Sequence, residues 1–143
     1  MSTVRDILQT KGNAVFCVSP ETMVFDALVV MAEKNVGALL VTSDDFVLGI
    51  VSERDYARKV VLKGKSSRET RVREIMTSDP VSVGPGQSID ECMAIMNIRH
   101  IRHLPVLENR KLIGMITIRD AIKAVISEKE NTISQLESYI KGT

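Results

Sequence analysis

Residues 49–55 read GIVSERD and residues 114–120 read GMITIRD. Each copy holds a glycine, apolar residues, a hydroxyl, and then an arginine directly before an aspartate. A hydroxyl three residues ahead of a carboxylate, as in Ser52 to Asp55 or Thr117 to Asp120, is a capping box that opens a helix. One copy would be an ordinary helix start. Two copies point to a duplicated unit, and the chain laid over itself supplies one: a shift of 65 residues places Pro20–Asp55 on Pro85–Asp120 without a gap, the mark of a tandem repeat. Further upstream, VRDIL at 4–8 matches VREIM at 72–76 with an offset of 68, so the first repeat carries three extra residues near Lys11–Ala14.

Both repeats show the same run of elements. Val24, Ala27, Leu28 and Met31 recur at steps of three and four, as do Ile89, Cys92, Met93 and Met96. Each repeat therefore holds an amphipathic helix with one buried face, its methionines serving as core filler. An apolar strand follows, VGALLV at 36–41 or IRHLPV at 101–106. A polar turn at Asp44-Asp45 or Asn109-Arg110 then leads to a second strand, FVLGIV at 46–51 or KLIGMI at 111–116, which completes a hairpin. The closing helix presents Tyr56, Val60 and Val61 in the first repeat, and Ala121, Ile122, Val125 and Ile126 in the second. The expected fold is α+β, each repeat running strand, helix, strand, strand, helix. A three-stranded sheet with helices on one side is too small to stand alone, so the repeats are expected to pack sheet against sheet about a pseudo-twofold axis. The expected segments are 1–62 for the first repeat, 63–71 for a linker, 72–128 for the second repeat and 129–143 for a C-terminal helix.

Composition excludes several classes of function. A chain of 143 residues with 44% hydrophobic content can bury a real core as one compact unit. No apolar run reaches the roughly 18 residues that span a bilayer, and the opening MSTVRDILQTKG lacks the basic-then-apolar layout of a secretory signal. A cytoplasmic address and no membrane partner are expected. A net charge of +1 and 3% aromatic residues give none of the clustered cations and stacking rings of a nucleic-acid surface. Any anion must be caught locally. Cys17 and Cys92 stand outside any CxxC and are expected as buried thiols. His100 and His103 lack further ligands at a suitable spacing, so no metal site is expected. With no activated nucleophile or metal-binding carboxylates, no catalytic residue is assigned and the chain is not expected to be an enzyme.

Three features together resemble a known family: the Leu104-Pro105-Val106 step, the G-apolar-apolar-[ST]-x-x-D pattern at both hairpin ends, and the leading VRDIL and VREIM segments. From about Val4 to Ile126 the chain is similar to a pair of cystathionine beta-synthase (CBS) domains, the unit called a Bateman module. The first repeat departs from the pattern with Leu40 in the place of Pro105. The resemblance implies a stand-alone sensor of adenosine compounds, with AMP or NAD(H) foremost and ATP, ADP or S-adenosylmethionine as further candidates. It implies regulation without a catalytic cofactor. It also implies modules that pair into discs, hence a homodimer, and a signal passed to another, regulated protein. The alternative is a ligand-free structural or protein-interaction module.

Within that resemblance the two hairpin ends become candidate binding sites. Ser52 and Thr117 fall where a strand passes into a helix, where unpaired N–H groups and the positive end of the helix dipole favour an anion. Asp55 and Asp120, one turn in, can accept both hydroxyls of a ribose. Gly49 and Gly114 leave room for a ligand or a facing backbone. Gly37 and Ala38, with Arg102 and His103 in register, lie on the strand that in the family lines the adenine cleft. Arg54 and Arg58 near Asp55, and Arg119 near Asp120, are the candidate phosphate partners. The Asp55 site looks better suited to phosphates, having Lys59 where the other has Ala124. In the family's crossed arrangement Arg102 and His103 are implied to serve the Asp55 site. A plainer reading of the same residues makes Ser52 and Thr117 caps, the aspartates the other halves of capping boxes, and Asp55 with Lys59 an i,i+4 pair.

Two segments lie outside this pattern. KGKSSRETRVRE at 63–74 reads as a solvated linker whose charge Glu69 and Glu74 partly cancel. TISQ at 132–135 reads as a capping box opening a short helix, with Ile133, Leu136 and Ile140 along one side as a stripe that needs a partner surface.

Overall fold

The computed structural model describes residues Ser2–Lys141; Met1 and residues 142–143, at the outer ends of the first and last expected segments, lie outside it. The elements in chain order are α1 (Val4–Lys11), β1 (Cys17–Val18), α2 (Val24–Lys34), β2 (Ala38–Ser43), β3 (Phe46–Ser52), α3 (Glu53–Tyr56), α4 (Val72–Ile75), β4 (Thr77–Ser78), α5 (Ile89–Arg99), β5 (His103–Glu108), β6 (Lys111–Thr117) and α6 (Ile118–Ile140). A π-helical turn, Ala57–Val61, continues α3.

The chain divides into two compact units. One comprises Ala14–Val81 and Glu108–Ile113; the other comprises the chain up to Asn13, Ser82–Leu107 and the chain from Gly114 onward. We call them the Asp55 unit and the Asp120 unit. They interleave along the sequence, so that α1 belongs with the Asp120 unit and α4 with the Asp55 unit.

The Asp55 unit is built on a four-stranded sheet in the order β1-β2-β3-β4. β1 runs parallel to β2, while β2 and β3 form an antiparallel hairpin that pairs Ala38 with Ser52. β4 joins antiparallel, with Gly49 opposite Ser78. The hairpin closes through Asp44 and Asp45, both at positive φ (51° and 68°), and Asn109 and Arg110 repeat this at 54° and 68° in the β5–β6 hairpin. Two consecutive left-handed residues match the right-handed twist of the strands, and Asp and Asn adopt that conformation more readily than most. Val24, Ala27 and Met31 of α2 pack with Leu39, Val41, Val51, Val60, Val72 and Ile75 in the core.

Residues 63–74 are not a solvated linker along their whole length. The Val24 and Phe25 N–H groups donate to the Thr70 and Ser67 carbonyls at 2.8 and 3.0 Å. The Arg68 guanidinium lies 3.9 Å from the Phe25 ring centroid, and Thr70 is buried. The first amides of a helix have no partner inside it, and this segment supplies acceptors for α2.

In the Asp120 unit, Ile89, Cys92 and Met96 form the buried face of α5, matching Val24, Ala27 and Met31 of α2. The parallel β1–β2 pairing is reduced here to a bridge between Val83 and Val106. The C-terminal helix is present, but it does not start at Thr132: α6 runs unbroken for 23 residues from its cap at Thr117. The Thr132 hydroxyl donates to the Glu128 carbonyl at 3.0 Å, one turn back within the helix, and so is spent inside the helix it was expected to open. Of the two cysteines, Cys92 is buried, whereas Cys17 is exposed because β1 is an edge strand.

Candidate functional site

The capping boxes at the two hairpin ends form as the spacing predicts. At the Asp55 corner the Ser52 hydroxyl accepts the Asp55 N–H at 3.2 Å, and Asp55 Oδ2 accepts the Ser52 N–H at 2.9 Å and its hydroxyl at 3.1 Å. At the Asp120 corner the Thr117 hydroxyl accepts the Asp120 N–H at 3.1 Å, and Asp120 Oδ2 accepts the Thr117 N–H at 2.9 Å. The strand before each hairpin closes the corner. Glu53 N–H donates to the Gly37 carbonyl at 3.0 Å, and Ile118 N–H to the Arg102 carbonyl at 2.9 Å. The first and third helical amides are thus held by the protein itself, which narrows the anion site expected at these helix starts.

Each carboxylate also meets a lysine. Lys59 Nζ lies 3.2 Å from Asp55 Oδ1 and donates to the Ile75 carbonyl at 2.9 Å, so the i,i+4 pair weighed from the sequence does form. Arg58 and Lys59 lie on the π-helical turn, a distortion found often at functional positions. Lys11, at the end of α1, donates to Asp120 Oδ2 at 2.7 Å and to the Met115 carbonyl at 3.0 Å. Sequence reasoning did not assign Lys11 to a site. Its signal was the three-residue insertion near Lys11–Ala14, a place where the repeats do not match.

The expected site residues fall into two groups. Ser52, Arg54, Asp55 and Arg58 gather at the end of β3, with Ala38 at the start of β2 and Gly37 just before it beside them. Ala38 is only 1% exposed, so its side chain belongs to the core and only its backbone borders the corner. Arg102, His103, Thr117, Arg119 and Asp120 form the second group, with His103 half-buried and the two arginines exposed. Arg102 and His103, implied by the resemblance to serve the Asp55 site, instead lie in the Asp120 unit, where the charges of Asp120 and Lys11 act on the His103 ring. Gly49 and Gly114 are filled from within their own units. A Cβ on Gly49 would lie 2.7 Å from the Thr77 carbonyl oxygen and from Met76 Sδ, and one on Gly114 would lie 2.7 Å from Leu8 Cδ2. It is the facing chain, not a ligand, that approaches these glycines.

The electrostatics of the second group are tightly linked. Burial holds the His103 pKa below its ordinary value, helped by Arg102 and Lys11 and opposed by Asp120. For Asp120, burial works to raise the pKa, but the hydrogen bonds and charge of Lys11 and the hydrogen bonds of Thr117 outweigh it and leave the carboxyl below its ordinary value. Burial raises the Cys92 thiol to about 11, as expected for an unreactive core group. A separate open cleft of about 590 Å³ in the Asp55 unit is lined by Leu28, Met31, Val36, Gly37, Glu53 and Tyr56 among others. Of the expected site residues only Gly37 borders it. Among the described residues, no helix is long and apolar enough to cross a membrane.

A duplicated unit of helix, short strand, helix and hairpin, closed by a capped helix, defines the class: a pair of CBS domains, a regulatory ligand-binding module. The chain belongs to the CBS domain family, which it matches over residues 3–62 and 72–127. A protein with CBS domains from Burkholderia ambifaria MC40-6 is 53% identical, with a TM-score of 0.86 over 88% of this chain and 95% of that one. The CBS domain-containing protein CBSX3 of Arabidopsis thaliana, named as mitochondrial, is 35% identical over 99% of this chain and 73% of its own length. A more distant CBS domain pair, solved in complex with 5′-methylthioadenosine and S-adenosyl-L-methionine, shares the fold at 21% identity with a TM-score of 0.78, over 90% of this chain and 98% of that one.

Proposed function

We propose that this chain is a non-catalytic regulatory sensor that binds an adenine nucleotide, AMP or NAD(H), through the ribose-accepting carboxylates Asp55 and Asp120. The observation that carries this reading is the duplicated corner. A cap needs only a hydroxyl and an acceptor, whereas each corner also keeps an arginine beside the aspartate and a short strand start across from it. Ser52 and Asp55 would hold the ribose in the first corner, with Arg54 and Arg58 meeting phosphate and the Gly37–Ala38 backbone bordering the base. Thr117 and Asp120 would do so in the second, with Arg102, His103 and Arg119 as phosphate partners. The distant pair that carries two adenosine compounds is in keeping with this chemistry.

A panel of nucleotides read by thermal melting tests the proposal. AMP or NAD should raise the melting temperature and GMP should do so much less; a ligand at a hundred times its Kd adds about 2.7 kcal/mol of stability. Equal shifts with guanine and adenine nucleotides, or none with any, would remove the adenine reading and favour the ligand-free module. Assembly as a homodimer has its own support. Ile122, Ile126, Ile133, Leu136 and Ile140 are all exposed on α6, at steps of four, seven, three and four residues that follow a heptad seam.

A further inference from the structure

The three-residue insertion in the first repeat has a structural result. α1 runs eight residues to Lys11, while its counterpart α4 stops after four at Ile75. The extra turn carries Lys11 to the Asp120 corner, where its ammonium bonds the carboxylate at 2.7 Å and the Met115 carbonyl at 3.0 Å. An exposed lysine–carboxylate pair is ordinarily worth little. Both corners depart from that case: the Asp120 and Asp55 side chains are only 16% and 15% exposed, each ammonium has a second, backbone acceptor, and each acid is one that would receive a ribose. Asp120 Oδ2 takes both the Thr117 N–H and the Lys11 ammonium. What sets Lys11 apart is a tighter contact, 2.7 Å against 3.2 Å for Lys59, from a lysine side chain 31% rather than 45% exposed.

We propose that Lys11 is a latch on the second corner, an internal cation that occupies Asp120 until a ligand displaces it. This rests on the reading of Asp120 as a ribose acceptor. Adenosine compounds then fill the Asp55 corner first, and the Asp120 corner only at a higher concentration. The three residues that break the repeat thereby make two similar corners answer over different ranges of ligand.

Calorimetry of the intact chain with AMP tests the latch, using Lys11→Met, Lys59→Met, Asp120→Ala and Lys11→Arg. The parent should show two binding events, and Asp120→Ala should remove the weaker one. Lys11→Met should strengthen the weaker event by roughly tenfold or more, the worth of one charge-assisted hydrogen bond. Lys59→Met should shift the stronger event by much less, and Lys11→Arg, which keeps a cation in place, should behave like the parent. Adenosine, which carries no phosphate, should show the same gain from Lys11→Met at the weaker event. If Lys11→Met leaves the weaker event unchanged or weakens it, the latch is wrong and the adenine reading survives. If no adenosine compound binds the parent or any variant, both fall together.

Discussion

Changing Asp55 to alanine separates a cap from a ribose ligand, because the two roles predict different losses. As the far half of a capping box, Asp55 supplies an acceptor for the Ser52 N–H and hydroxyl at 2.9 and 3.1 Å. Losing a partly exposed cap bond and an i,i+4 pair costs about 1 kcal/mol. That is a fall of about 2–4 °C in melting temperature for a chain of this size. As a ribose acceptor, Asp55 would contribute charge-assisted hydrogen bonds worth about 1.5–3 kcal/mol, so AMP should bind roughly tenfold to more than a hundredfold less tightly. Ser52 is unchanged in this variant and still caps the Asp55-position N–H, so the helix start should survive. Calorimetry on parent and variant, with AMP and adenosine as titrants, gives the affinities, and a melting curve gives the stability. Both ligands should lose affinity alike, since both carry the ribose. A lowered melting temperature with AMP affinity intact would show that GIVSERD is a capping box and nothing more at this corner.

The other expected outcomes are more local. Gly49→Ala should cost about 1–3 kcal/mol by overpacking, since its Cβ would meet a backbone oxygen; Gly114→Ala should cost less, because the nearest atoms belong to the end of the Leu8 side chain. Urea melts of the two variants give the order, and equal losses would mean that Leu8 cannot move. Because the folded pKa of His103 is depressed, its share of stability is whole above the unfolded value of about 6.5. It erodes as pH falls from there through the folded value, so the melting temperature should drop on acidification from pH 7 and do so less steeply in His103→Gln. Asp120, also depressed, should hold its contribution above about pH 3.9 and lose it as pH falls through its folded pKa, which a Lys11→Met acid titration should blunt. For assembly, Ile133→Glu with Leu136→Glu should shift the chain toward monomer in light scattering; an intact protein that is already monomeric would refute the α6 interface.

Much of the fold was legible because it was written twice. A lone Val24, Ala27, Met31 pattern could be chance, but Ile89, Cys92 and Met96 repeat it, and all six are buried. The turns were readable for the same reason: Asp44-Asp45 and Asn109-Arg110 occupy equivalent places and adopt the same left-handed pair of conformations. What escaped had no second copy, or depended on groups that side-chain patterns do not report. The docking of Ser67 and Thr70 on the start of α2 uses backbone carbonyls, which any residue supplies. TISQ satisfies the capping rule on paper, yet the same threonine hydroxyl also satisfies the carbonyl of Glu128 in a continuing helix, and sequence alone does not choose between them. Lys11 reaches a residue 109 positions away from a segment absent in the other repeat, so no register could point to it.

Capping and ligand binding at these corners are not exclusive, and the reason lies in the two oxygens of a carboxylate. Ser52 draws on Oδ2 of Asp55 while Lys59 faces Oδ1, so displacing the lysine would open an acceptor and leave the cap in place. At Asp120 the cap and Lys11 both converge on Oδ2. A ribose that takes both oxygens of Asp120 must compete with Lys11 for Oδ2, the atom that also holds the cap. The hydroxyl-x-x-aspartate step therefore has a structural duty in both repeats, and that duty alone would keep it. What differs between the corners is the lysine: one comes from the next turn of the same helix, the other from an insertion far along the chain. The difference in ligand response should therefore follow those lysines, because the capping geometry is shared.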